Sequence, residues 1–166
     1  MTAGLRRRTA LTVVAAALAV VAVAGCGSAD HSAASSSALP ACSGVATSDY
    51  GLGDALASAA AKLAALPHRV ATGTATVLRV DGAKAPLRVA ITVCGDGLDD
   101  DSLKDVASTL AVAVAGAREL GNQVGALSVE LQSANKVAQA DPFNAASFAS
   151  GTDVATVRGQ WRIEQN

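Results

Sequence analysis

Aromatic side chains are almost missing from this chain of 166 residues: Tyr50, Phe143, Phe148 and Trp161 are the full set. Their scarcity argues against a nucleic-acid binder that works by base stacking and against a sugar site walled by rings. Histidine is as scarce, with only His31 and His68, which argues against a multi-histidine metal centre and limits general-base chemistry. Charged residues are few, 16% against 51% hydrophobic, so the composition is not that of a disordered acidic or basic chain. There is no G-x-S-x-G motif, and His68 is the single histidine inside the expected domain, so no nucleophile–histidine–acid set assembles. An enzyme is not expected, nor is a cofactor or a resident metal.

The amino terminus has three parts in a fixed order. Arg6, Arg7 and Arg8 form a positive stretch, an uncharged run of Ala, Val and Leu follows, and Val23-Ala24-Gly25-Cys26 closes it. This ending resembles the lipobox of bacterial lipoproteins, in which small residues admit the peptidase and the cysteine accepts a diacylglyceryl group. The resemblance implies that residues 1–25 are a signal peptide and that acylated Cys26 becomes the first mature residue. The alternative is an uncleaved anchor helix. Both put the arginines in the cytoplasm and the rest outside. Arg7-Arg8-Thr9-Ala10-Leu11 also resembles a twin-arginine signal with Ala10 where Phe is usual; the general secretory route is the expectation. The alanine-heavy, lysine-poor usage resembles small lipoproteins of high-GC Gram-positive bacteria, which implies a location at the cell membrane, on its extracytoplasmic side. The signal takes three of the thirteen basic residues and none of the fourteen acids. The mature part keeps ten against fourteen and is mildly acidic, at −4.

Three cysteines in an exported chain leave one odd thiol. With Cys26 acylated, Cys42 and Cys94 form an even pair in an oxidising compartment, and a disulfide between them is expected. Two buried free thiols are the alternative. Residues 26–48 are rich in Ser, Ala and Gly and read as a flexible tether, roughly 25 Å from end to end, with His31 solvated in it.

The remainder, residues 49–166, reads as one domain. Leu52, Leu56, Ala59, Leu63 and Leu66 lay an apolar stripe on a helix over 49–66 that Pro67 stops. His68 then reads as a polar loop residue. Alternation over 70–80 puts Val70, Thr72, Thr74, Thr76, Leu78 and Val80 on one face of a strand. Leu87, Val89, Ile91 and Val93 mark a second strand beyond the Asp81-Gly82-Ala83-Lys84 turn. A second helix is expected over 102–120, with Ser102 and Asp105 in capping-box spacing. A third strand covers 126–132, a long polar connection 133–152, and a last strand 154–164. The order is αββαββ. The expected fold is α+β, a two-layer sandwich with two helices on one face of a four-stranded antiparallel sheet in spatial order 3-4-2-1 (a permuted ferredoxin-like arrangement).

Two constellations of charged residues could carry chemistry. Asp96, Asp99, Asp100 and Asp101 place four carboxylates in six residues, as a calcium loop would. Ala107 stands where an EF-hand needs glutamate, so acids gathered at a helix start are the expected reading. Strand alternation places Arg69, Arg79, Arg88, Arg158 and Arg162 on the sheet face away from the helices, a candidate surface for an anionic partner. The RNA reading of such a sheet fails because its central strands lack aromatics. The expected role is a lipid-anchored extracytoplasmic interaction module, accessory to the cell envelope. Its partners would be the membrane, through Cys26, and envelope proteins or anionic envelope components, with no nucleic acid. The alternative is a carrier of a lipid or other apolar ligand held between sheet and helices.

Overall fold

The computed structural model describes residues 42, 44, 46, 47, 49–149 and 151–165. The signal-like segment, Cys26, His31 and most of the tether lie outside the described residues.

Periodicity places the first helix well. After a 3-10 turn at Asp49–Gly51, α1 runs Leu52–Ala64 and buries Leu52, Leu56, Ala59 and Leu63 at the expected spacing. The second, α2, spans Asp100–Gly116. Asp99 is its N-cap, accepting a hydrogen bond from the Ser102 amide at 2.8 Å, so the helix begins two residues before the expected start. Its stripe is broader than one face: Ala107, Ser108, Thr109 and Ala111 are buried beside Leu103, Val106, Leu110 and Val114. Covering on several sides follows from its position, packed against α1, the sheet and the segments around 145–160.

The class is α+β, but the sheet has five strands and is mixed. β1 (Val70–Arg79), β2 (Leu87–Gly95), β3 (Val124–Leu131), β4 (Lys136–Ala140) and β5 (Arg162–Gln165) lie side by side in chain order. β1 and β2 are antiparallel, β2 and β3 parallel, and the remaining pairs antiparallel. The expected all-antiparallel order 3-4-2-1 is therefore corrected. α2 carries the chain back over the sheet, so β3 is laid beside β2 in the same direction, as a β–α–β crossover requires.

Two element assignments change with it. The polar connection contains β4, which Asn135 starts with a left-handed turn (φ 50°) and which buries only Ala138 and Ala140. Alanines carry little strand signal. Most of the expected last strand is instead a 3-10 helix, Val154–Gln160. Asp153 starts it: its carboxylate accepts from the Ala155 amide at 3.1 Å and its carbonyl from the Thr156 amide at 3.0 Å.

β1 also departs from simple alternation. Thr72 pairs with Val93 but Ala75 with Ile91, so Gly73 and Thr74 hold one extra residue, a bulge. Beyond it the faces exchange. Ala75 is buried and Val77 half-buried toward the helices, while Thr74, Thr76 and Leu78 turn outward. At the far end, Phe143, Phe148 and Trp161 fill the space beside α2, with ring centroids 5.2 Å and 5.7 Å apart. They and the inward faces of the strands join the helices in one apolar core.

Candidate functional site

The chain enters the domain at a covalent joint. Cys42 and Cys94 are disulfide-bonded, with Cα atoms 5.4 Å apart, inside the normal range. Cys94 lies opposite Ala71 on β2 and, between inward-facing Val93 and Gly95, turns to the open face of the sheet. Ala46 and Thr47 lie at the outer edge of β1. Ala46 bridges Ala75 in parallel, and the Thr47 amide donates to the Ala75 carbonyl at 2.9 Å. Edge cover of this kind hides groups that would otherwise pair with another chain.

The acidic cluster is taken up by the fold. Hydrogen bonds from Ser102, first its hydroxyl and then its amide, hold Asp99 below the usual carboxylate range, helped by the charges of His68 and Arg158. Asp100 accepts from Lys136 of β4 at 2.6 Å, and Asp101 stands 3.6 Å from Lys104. Among the described residues no group of three or more His, Cys, Asp or Glu is placed to hold a metal ion.

The arginines do not share one surface. Arg88 and Arg162 are exposed on the open face, on β2 and β5. Past the bulge Arg79 has the parity of Ala75 and Val77, so it leaves the strand on the helix side, 3.5 Å from Asp81. Arg158 is on the 3-10 helix. Its Nε and Nη2 donate to the two carboxylate oxygens of Asp105 on α2, each at 2.6 Å. That bond pushes the guanidinium still further above its ordinary range. Arg69 lies outside the strands, on the approach to β1.

Sequence reading missed this clamp. Asp105 and Ser108 are three apart on α2, and Arg158 and Trp161 are three apart on a 3-10 turn. The Trp161 indole donates to the Ser108 hydroxyl at 2.9 Å in a buried setting. Two bonds one turn apart thus hold the segment before β5 against the helix layer. The i, i+3 spacing on both sides was the available signal.

Several hollows border the sheet and the helices. One, about 280 Å³, lies on the open face, where Thr92, Glu130, Val137 and Glu164 stand opposite one another on adjacent strands. The larger cleft, about 530 Å³, runs between α1 and α2, with an alanine and glycine floor and Tyr50, Asp54, Lys62 and Arg118 around it. No sheet residue lines it. Compared with protein-family models, curated proteins and solved structures, the chain shows no match. Chemical function therefore rests on the chain's own geometry. The arrangement offers ion pairs, hydrogen bonds and a covered edge along β1.

Proposed function

We propose that this chain is a lipid-anchored extracytoplasmic module of the cell envelope that acts by interaction. The supporting observation is how the cysteines pair. With Cys42 bonded to Cys94, the remaining thiol is Cys26, at the position where the lipobox-like ending puts acylation. A disulfide also suits an oxidising compartment. On the lipobox reading attachment comes from acyl chains, at about 0.8 kcal/mol per buried CH₂, two chains sufficing for stable anchoring. The open sheet face, with Arg88 and Arg162 near the hollow at Glu130 and Glu164, is the surface left to a partner.

Metabolic labelling tests the anchor. Expressed in a bacterium that acylates lipoproteins and fed labelled palmitate, the chain takes up label and sediments with membranes. Cys26→Ala loses both, Cys42→Ala keeps the label, and protease added to intact cells digests the domain. An unlabelled wild-type chain, or one wholly protected from protease, overturns the reading.

A further inference from the structure

We propose that the tip of the β1–β2 hairpin, residues 78–84, is a second membrane contact that seats Leu78 and Val80 among the head groups of an anionic bilayer. The inference rests on the anchored reading above. Leu78 is 64% exposed and Val80 37%, the exposed large hydrophobics among the described residues. One exposed leucine signifies little. Here two stand next but one to each other, Leu78 in the end of β1 and Val80 just beyond it, in an unbroken exposed run from 78 to 84.

Charge selects the occupant. Arg79 and Lys84 belong to the tip, and Arg88 lies directly opposite Leu78 in the ladder. Asp81 is the one acid between residues 78 and 88, so the hairpin carries +2. The mature chain carries −4, which leaves −6 for everything else. An anionic surface therefore attracts the tip and repels the rest, and this fixes an orientation. The pairs Arg79–Asp81 and Arg88–Asp141 are exposed and hold their cations weakly. A protein partner is the poorer fit: a stable interface needs about 800 Å² on each side, far more than two side chains offer. An anchored domain is already concentrated at the bilayer, so a small patch suffices there.

Geometry permits both contacts at once. The disulfide and Leu78 share the open face at opposite ends of the β1–β2 ladder. Cys94 and Arg88 are six residues apart on β2, about 20 Å at 3.3 Å per residue. On the sequence reading of residues 26–42 as a tether, a sixteen-residue coil reaches about 20–24 Å. The exposed tip can therefore reach the bilayer while the chain stays anchored.

The full acylated chain is reconstituted into vesicles of phosphatidylcholine with phosphatidylglycerol, and flotation first establishes that it is anchored. Trypsin cleavage after Arg79 and Lys84 is expected to slow at least fivefold relative to pure phosphatidylcholine vesicles. Leu78→Asp/Val80→Asp is expected to abolish that slowing. As a depth probe, Leu78→Trp is expected to lose at least half its added fluorescence to brominated acyl chains. Ala57→Trp, on the exposed side of α1, keeps its fluorescence, with buried Trp161 a common background. A floating chain with equal cleavage in both vesicles, or equal quenching of both probes, overturns the tip contact and leaves the anchor standing. A chain that does not float overturns the anchored reading, and this inference falls with it.

Discussion

Removing the Cys42–Cys94 bond is the most informative single perturbation of this fold. The cysteines are 52 positions apart, and closing a loop of that size in the unfolded chain is worth about 4 kcal/mol on the chain-entropy treatment. That is an upper bound. Apart from the bond, the entering segment is held at the sheet edge by the Ala46 bridge and the Thr47–Ala75 hydrogen bond. Once unbonded, it can leave the edge and regain backbone freedom worth about 1–2 kcal/mol per residue released, less the contacts given up. A net loss of about 2–4 kcal/mol is expected for Cys42→Ala, a large share of the 5–15 kcal/mol typical of a domain. For about 120 residues the unfolding entropy is about 0.25 kcal/mol per kelvin, so Tm falls by roughly 8–16 °C. Calorimetry of the full chain in mild detergent reads the shift, and treating the wild type with a dithiol reductant must reproduce it. Exchange of the Thr47 amide should accelerate in the variant while the amides of β2 and β3 stay protected. A Tm change under about 4 °C, or unaltered protection at Thr47, refutes the view that the bond both shortens the unfolded ensemble and fixes the edge cover.

Three further outcomes follow from local geometry. Trp161→Phe keeps the ring packing but removes the donor to buried Ser108, and should cost about 1–2 kcal/mol in urea unfolding. Adding Ser108→Ala should then cost less than the sum of the two single changes, and strict additivity argues against a coupled pair. In Gly125→Ala the new Cβ overlaps the Ala85 carbonyl oxygen, so a loss of about 1–3 kcal/mol is expected, and an unchanged denaturation midpoint contradicts the close approach. Asp99 has a folded pKa below its unfolded value of about 4. Its stabilising effect is therefore complete above that value and is lost as pH falls through the depressed folded one. Asp99→Asn, which caps without titrating, should flatten the acid limb of the helical circular-dichroism signal between pH 5 and 2; an identical limb removes Asp99 from acid unfolding.

What the sequence determined by itself is local. The leucine stripe set α1, and the alternation of Leu87, Val89, Ile91 and Val93 set β2 with all four buried. Leu127, Val129 and Leu131 did the same for β3, since a side-chain period is a property of the chain alone. Cysteine parity pointed to the bond that the structure contains. Tertiary structure decided the rest. Which strands neighbour each other depends on where α2 lands, and no residue encodes that by itself. The bulge at Gly73 and Thr74 exchanged the faces of β1, moving Arg79 off the open face and Leu78 onto it, because a one-residue insertion reverses every later side chain. Strand β4 exists through pairing between β3 and β5 more than through its own alanines. Arg158 left the anticipated surface because Asp153 turned the chain into a 3-10 helix beside Asp105. A carboxylate 53 residues away is invisible to periodicity, and only packing brought the two together.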